Sequence, residues 1–140
     1  MLKRICGLAL MLVICLLMLA SCGHEHAYAP ATLDTPATCE CGETEGVSIR
    51  EMLKGDWRVS GPSSIYFCIE FTETGFNGNI VINGEKSQTL ASSGTVEMEG
   101  DTITLLENNG EKFSYYNYEI SDGEIKLVDH EGKSWVRVEP

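Results

Sequence analysis

The chain has 140 residues, of which 21 are acidic and 10 are lysine or arginine, so its formal net charge is −11 at pH 7. A chain of this length accommodates one domain with short additional segments. The excess of negative charge repels the phosphates of nucleic acids and anionic lipids, and therefore argues against binding either of them through the body of the protein.

The first residues have the composition of a signal peptide. Lys3 and Arg4 precede an uncharged, mainly apolar stretch over residues 5–20, which matches a positive n-region followed by an apolar h-region. The stretch is shorter than the roughly 20 apolar residues that cross a bilayer, and it ends in small residues. We therefore interpret residues 1–21 as a cleaved leader rather than a membrane span.

The end of this leader, Leu19-Ala20-Ser21-Cys22, resembles the bacterial lipobox. In that motif the cysteine receives a diacylglyceryl group and becomes the N-terminus of the mature protein. The resemblance implies that Cys22 anchors the protein to the extracytoplasmic face of the cell membrane, because acyl chains attach a protein without spanning the bilayer. Loss of the two basic leader residues changes the net charge from −11 to about −13. The alternative is an unmodified leader cysteine, like Cys6 or Cys15.

Residues 22–46 have the composition of an anchored, flexible stalk, since they combine prolines and threonines with no apolar periodicity. The phrase ATLDTPATCECGETEG, residues 31–46, resembles a Cys/His-rich module of lipoproteins from Gram-positive anaerobes. Leu33 stands where that module has its first cysteine, and Cys39-Glu40-Cys41 is one residue shorter than its usual cysteine pair. The candidate metal ligands of the stalk are His24, His26, Cys39 and Cys41.

Two imidazoles and two thiolates are a suitable ligand set for Zn²⁺, which takes four nitrogen or sulfur ligands. The single residue between Cys39 and Cys41 makes their chelate ring tighter than that of the common pairs. Three interpretations remain open: a small zinc site, a cysteine pair that oxidises, and a degenerate module with no site. A disulfide between these two cysteines would be strained, and Cys68 is an alternative partner for either of them.

A short helix is predicted at the start of the folded domain, residues 47–140. Ser48 and Glu51 are spaced as a capping box, in which each side chain bonds the backbone amide of the other residue. Gly55 supplies the end of the helix. One face of this helix is apolar at positions i, i+3 and i+4, and its residues are Ile49, Met52 and Leu53.

The remainder of the domain alternates apolar and polar residues between turn signals such as Asn83-Gly84 and Asp122-Gly123. This pattern predicts an all-β fold, in which roughly eight antiparallel strands form a meander and close into a barrel. Closure removes the exposed strand edges of an open sheet. The predicted strands lie at 57–60, 65–71, around Ile80 and Ile82, around Val96 and Met98, around Ile103 and Leu105, at 116–120, around Ile125 and Leu127, and at 134–138.

Gly55-Asp56-Trp57, with a helix just before it, resembles the G-x-W signature of lipocalin-like barrels. In that superfamily an arginine near the end of the chain lies across the tryptophan ring. The resemblance implies that Arg137 packs on Trp57, a cation–π contact of roughly 0.5–2 kcal/mol. The chain is shorter than true lipocalins and closer to the small lipocalin-like domains of uncharacterised bacterial lipoproteins.

An eight-stranded barrel has an interior that either is filled by side chains or holds one small ligand. Phe67, Phe71, Tyr116 and Tyr118 are the residues that would line such a ligand pocket. The alternative is that these aromatic side chains fill the barrel, since a domain of about 94 residues has little core to spare.

The folded domain shows no combination of residues typical of an enzyme. Its single histidine, His130, lies in the charged turn Asp129-His130-Glu131-Gly132, and neither a nucleophile elbow nor a phosphate-binding glycine loop accompanies it. We therefore expect a binding protein without catalytic activity. The leading hypothesis is a lipid-anchored module for a small apolar ligand or an envelope protein, and the alternative is zinc binding through the stalk. No cofactor is firmly indicated, and zinc is the candidate.

Overall fold

The computed structural model describes residues 25–87 and 92–138. The predicted leader, the predicted lipid attachment site Cys22 and the candidate ligand His24 lie outside the described residues. The described part of the chain contains two β-sheets and one short helix. No helix within it has the length and apolar character needed to cross a membrane.

The N-terminal sheet lies in the segment whose composition predicts a stalk. It consists of three short antiparallel strands in the order β1-β2-β3. Their bounds are Tyr28–Ala29 for β1, Ala37–Cys39 for β2 and Thr44–Glu45 for β3. Nothing in the sequence pattern predicted these strands.

The second sheet is the closed barrel that the sequence predicts. The helix α1 spans Ile49–Leu53, and the strands span Gly55–Val59 (β4), Ile65–Phe71 (β5), Phe76–Ile82 (β6), Glu85–Lys86 (β7), Ser92–Glu99 (β8), Thr102–Glu107 (β9), Lys112–Ser121 (β10), Glu124–Asp129 (β11) and Ser134–Arg137 (β12). Apart from β7, which pairs with β6, these eight strands pair antiparallel in chain order, and β12 pairs with β4 to close the ring.

Tight two-residue turns lie at two of the predicted positions: Asn83-Gly84 joins β6 to the short strand β7, and Asp122-Gly123 joins the barrel strands β10 and β11. Asn83 and Gly84 have φ angles of 52° and 86°, and Asp122 and Gly123 have φ angles of 56° and 79°. Two consecutive residues with positive φ are the requirement of the hairpin turn whose twist matches that of its flanking strands. Local turn chemistry therefore accounts for the hairpin of β10 and β11 in the meander, and for the smaller hairpin of β6 and β7.

Helix α1 begins at the predicted cap and is tied to the barrel at its other end. The Glu51 amide donates to Ser48 Oγ at 3.3 Å, which is one half of the predicted capping box. At the C-terminal end, the Trp57 indole nitrogen donates to the buried Leu53 carbonyl at 2.7 Å. Because Ile49 and Leu53 are each only 1% exposed, the apolar face of α1 closes this end of the barrel.

The predicted contact between Arg137 and Trp57 is present. The guanidinium carbon lies 5.4 Å from the centroid of the Trp57 ring. The same guanidinium donates through Nη2 to the Met52 carbonyl. The last carbonyls of a helix lack partners within the helix, so β4 and β12 together supply donors for the C-terminal end of α1.

The barrel interior is occupied by side chains. All eight barrel strands and α1 contribute to one buried apolar cluster. Phe71 and Tyr116 are buried within it, and Phe67 and Tyr118 are partly buried and pack against it. The four aromatic residues considered as the lining of a ligand pocket are thus part of the packed core. The cluster comprises Ile49, Leu53, Trp57, Ile69, Phe71, Phe76, Val96, Ile103, Leu105, Tyr116, Ile125, Leu127 and Trp135.

Asp129 organises the opposite end of the barrel. Its Oδ1 accepts from the amides of Glu131 at 3.0 Å and Lys133 at 2.9 Å, and its Oδ2 accepts from the Trp135 indole at 3.0 Å. Burial acts to raise the pKa of Asp129, but these hydrogen bonds and the Lys133 charge outweigh it and hold that pKa below its usual value. His130 is exposed in the same turn and contacts the Tyr115 ring at 5.4 Å.

Cys68 is buried on the outer side of the barrel wall, with 1% of its surface exposed. Burial, with a smaller contribution from Asp56, raises the pKa of its thiol to about 11. A thiol of this kind stays protonated at neutral pH and is unreactive. All three cysteines of the described residues are free thiols.

The substitution Trp57→Phe should lower the free energy of unfolding by about 2–4 kcal/mol, since it leaves the buried Leu53 carbonyl without a donor and opens a small void. Urea unfolding followed by the fluorescence of Trp135, the other tryptophan of the chain, measures this loss. Hydrogen exchange of the α1 amides should accelerate in the same variant. A loss below about 0.5 kcal/mol would contradict this role of Trp57.

The substitution Asp129→Ala should lower the free energy of unfolding by about 2–3 kcal/mol at neutral pH, because it removes a charged acceptor of three hydrogen bonds. The folded-state pKa of Asp129 lies below its usual value of 3.8, so this stabilisation is present above that value and is lost as the pH falls through the folded-state pKa. Unfolding measured at pH values from neutral to strongly acidic should show the two proteins converging in acid. A difference that stays constant with pH would contradict this assignment.

Candidate metal centre

A tight turn between β2 and β3 brings the two stalk cysteines to one place. The Gly42 amide donates to the Cys39 carbonyl at 2.8 Å, and the Cys39 amide donates to the Glu43 carbonyl at 2.8 Å. Gly42 has a φ of 90°, which glycine adopts without the steric cost of a side chain. The turn Cys39-Glu40-Cys41-Gly42 is therefore closed by backbone bonds rather than by a ligand.

The pairing of β1 with β2 brings His26 to the same turn. Tyr28 is paired with Cys39 and Ala29 with Thr38. Extending this antiparallel register by two residues sets His26 opposite Cys41. Accordingly, His26 Nδ1 lies 3.4 Å from Cys41 Sγ, and the imidazole stacks on the Tyr28 ring with 5.8 Å between their centroids.

His26, Cys39 and Cys41 form a cluster with the geometry of a metal site. One nitrogen and two sulfur ligand atoms lie within 4.8 Å of one another. In a tetrahedral zinc site, with bonds of 2.0–2.3 Å, such atoms are about 3.3–3.8 Å apart, so small side-chain movements bring all three to bonding distance. Three of the four ligands considered from the sequence are thus neighbours.

The two thiols of the cluster differ in acidity. The Cys41 amide, the Cys41 thiol and the His26 ring stabilise a thiolate on Cys39 and lower the pKa of that thiol to about 6. The Glu43 amide acts to lower the pKa of Cys41, but the adjoining Cys39, burial and the Glu43 carboxylate raise it above its usual value. At neutral pH the cluster therefore holds one thiolate, which is the metal-binding form of cysteine.

Glu43 is a member of the site that the sequence analysis missed. Its Oε2 lies 3.3 Å from His26 Nε2, whereas Cys41 Sγ lies 3.4 Å from the other ring nitrogen, Nδ1. The hydrogen bond to Cys39 raises the pKa of His26 most, and the Glu43 charge adds to it against the effect of burial. In the sequence, Glu43 is distinguished only by its position across the turn from Cys39. That position cannot be recognised until the turn itself is known.

Leu33 and its neighbours fasten this sheet to the barrel. Leu33 is partly buried and packs against the barrel core, and its carbonyl accepts from the Arg50 amide at 2.8 Å. The Thr32 carbonyl accepts from the Ile49 amide at 3.0 Å, and Arg50 Nε donates to Asp34 Oδ1 at 2.5 Å. These contacts dock the segment before α1 onto the helix and the barrel.

A second concave feature lies beside α1 at the closed end of the barrel. It is an open depression of about 520 Å³ with an apolar floor and charged rims. The depression is lined by two acidic residues, Glu51 and Glu124, and by two basic residues, Lys126 and Arg137. Its charge is therefore mixed. Its apolar lining includes Val47, Met52, Trp57, Ile125, Trp135 and Val136.

No protein-family model, curated protein or solved structure matches this chain. The resemblances to the lipobox, to the Cys/His-rich module and to lipocalin-like barrels therefore remain expectations that rest on the motifs quoted above. The function has to be inferred from the residues and their geometry.

In metal-free protein, the thiolate absorbance near 240 nm should increase with pH in separate steps. One step is expected at about pH 6 and belongs mainly to Cys39, and another above the usual cysteine value of 9.0 involves Cys41. Because coupled groups titrate as a pair, Cys39→Ser should remove the acidic step and shift the remaining one. The control Cys68→Ala should leave the acidic step in place, and a first step near pH 9 in the unsubstituted protein would contradict this electrostatic description.

Proposed function

We propose that this protein binds Zn²⁺ through His26, Cys39 and Cys41 in the cell envelope. The observation that carries the proposal is the approach of three nitrogen and sulfur ligand atoms to within 4.8 Å of one another. Thiolates and imidazole together are a common ligand set for zinc. The protein acts in this proposal as a metal-binding protein and not as an enzyme.

Two ways of completing the coordination sphere are available. His24 precedes His26 by two residues and is the candidate for a fourth protein ligand, which would make a closed, structural site. Without His24, a water molecule takes the fourth position, and the site stays open to exchange of metal or ligand. The first arrangement suits a structural role, and the second suits capture or transfer of zinc.

The barrel serves as the scaffold of this site. Its interior is occupied by the buried cluster, which favours a supporting role over storage of a small ligand in the lumen. Cys22, as the lipid attachment site of the proposal, lies four residues before His26. A lipid on Cys22 would hold the zinc site close to the extracytoplasmic surface of the membrane.

Binding of an envelope protein or a small apolar ligand is the second candidate function. It is favoured by three isoleucines at the end of the barrel opposite α1, where Ile65, Ile80 and Ile82 are 60%, 42% and 48% exposed. Ile65 and Ile82 are paired across β5 and β6, so these side chains form one apolar surface. Exposed apolar surfaces of this kind are frequent at protein contacts.

Native mass spectrometry of the chain from residue 23 onward, which contains every described residue, tests the zinc proposal. The protein purified under reducing conditions should carry one Zn²⁺ per chain. The substitutions Cys39→Ser and Cys41→Ser should each reduce this to near zero, because each removes a thiolate ligand. The matched control Cys68→Ala, which alters a buried thiol of the barrel wall, should retain one equivalent.

The other outcomes separate the two candidate functions. A bare polypeptide mass after incubation with Zn²⁺ would contradict the zinc proposal and leave protein binding as the better candidate. An organic adduct that persists in the Cys41→Ser variant would favour the small apolar ligand. Zinc retained in both cysteine variants would place the metal elsewhere in the chain and would equally contradict the proposal.

A further inference from the structure

The two nitrogens of the His26 ring face different chemical groups. Nδ1 lies 3.4 Å from Cys41 Sγ, whereas Nε2 lies 3.3 Å from Glu43 Oε2. One side of the imidazole therefore faces the proposed metal position, and the other side faces a carboxylate. Stacking on Tyr28 defines the plane of the ring between these two groups.

A neutral imidazole carries its proton on one nitrogen and offers a lone pair on the other. A carboxylate can only accept a hydrogen bond, so it favours the tautomer whose proton points at it. A carboxylate at Nε2 consequently leaves the lone pair on Nδ1, which is the nitrogen that lies 3.4 Å from Cys41 Sγ. It also increases the basicity of the ligating nitrogen.

We propose that Glu43 is a positioning residue of the metal centre, which holds the proton of His26 on Nε2 and so presents Nδ1 to the metal. The inference rests on the proposed zinc function. Glu43 does not itself bind the metal, because its carboxylate contacts the ring nitrogen on the far side from Cys41.

The backbone gives Glu43 a fixed relation to the ligands. Its carbonyl accepts from the Cys39 amide at 2.8 Å, so the residue that orients His26 is bonded directly to a residue that supplies sulfur. The Glu43 carboxylate would also add a negative charge next to a bound divalent cation whose own charge the two cysteines, both as thiolates in the metal-bound form, would neutralise. The negative charge of Glu43 would stabilise the partial positive charge that the His26 imidazole acquires when its nitrogen binds the metal.

Glu45 provides a matched control for the loss of charge. It lies two residues further along the same hairpin, in β3, and is exposed. The substitutions Glu43→Gln, Glu43→Ala and Glu45→Gln then separate three effects. Glu43→Gln removes the charge but keeps an oxygen acceptor, Glu43→Ala removes both, and Glu45→Gln removes a nearby charge that does not face the His26 ring nitrogen.

Zinc affinity of the chain from residue 23 onward should be measured by competition with a chromophoric chelator. Loss of an outer-sphere partner of a ligating histidine weakens metal binding by roughly 10–100-fold, and we expect this loss for Glu43→Ala. Glu43→Gln should retain part of the affinity, and Glu45→Gln should bind zinc as the unsubstituted protein does. Unfolding midpoints of the metal-free variants should be equal, which separates positioning from folding.

Nitrogen chemical shifts of His26 give an independent readout. They should be recorded in metal-free Cys39→Ser protein, which lacks the thiolate that hydrogen-bonds His26 and competes for its proton, at a pH where the ring is neutral. This protein should carry the proton on Nε2, and the further substitution Glu43→Ala should give a mixture of both tautomers. A purely structural role of Glu43 would leave these shifts unchanged.

The outcomes distinguish this inference from the function on which it rests. Zinc binding that is lost in Cys41→Ser but unchanged in Glu43→Ala, with the same tautomer, would overturn the role of Glu43 and leave the zinc proposal standing. Equal losses of zinc affinity in Glu43→Ala and Glu45→Gln would show that the loss depends on net charge and not on the contact of Glu43 with His26. That result would also overturn the role of Glu43. Failure of the unsubstituted protein to bind zinc would overturn both proposals.

Discussion

The hydrogen bond from the Trp57 indole to the Leu53 carbonyl is the contact that holds α1 on the barrel, and the position of the N-terminal sheet depends on it. It fixes the end of α1 against β4, and Arg137 strengthens the same junction by packing on Trp57 and donating to Met52. With α1 held there, the apolar side chains of the helix complete the core at one end of the barrel. The barrel then has a rigid surface to which the preceding segment can attach.

The N-terminal sheet depends on that surface. Its strands have two or three residues each, and sheets of this size are not stable alone. Two helix amides bond the carbonyls of Thr32 and Leu33, and Leu33 packs on the barrel core. The position of Cys39, Cys41 and His26 thus follows from a chain of contacts that leads back to Trp57. Metal binding would add free energy to the same small sheet.

The barrel could be predicted because its signals are local. The alternation in β5 and the turn at Asp122-Gly123, which joins β10 and β11, each specify structure within a few residues. The contact between Arg137 and Trp57 followed from a motif. Residue chemistry nominated four ligands, of which the structure brings three together, and the fourth, His24, lies outside the described residues. The N-terminal sheet and the role of Glu43 could not be predicted, because two-residue strands show no periodicity and the partner of a histidine depends on register between distant residues. The docking of Leu33 on the barrel core likewise could not be predicted, since a single apolar residue in a polar segment forms no periodic pattern.

The measurement that tests this account most directly is X-ray diffraction at the zinc absorption edge, from crystals of the chain from residue 23 grown with Zn²⁺ under reducing conditions. We expect one anomalous peak per chain, bonded to His26 Nδ1, Cys39 Sγ and Cys41 Sγ, with Glu43 on the opposite side of the imidazole. A peak located elsewhere, or reduced thiols at Cys39 and Cys41 with no metal between them, would contradict it.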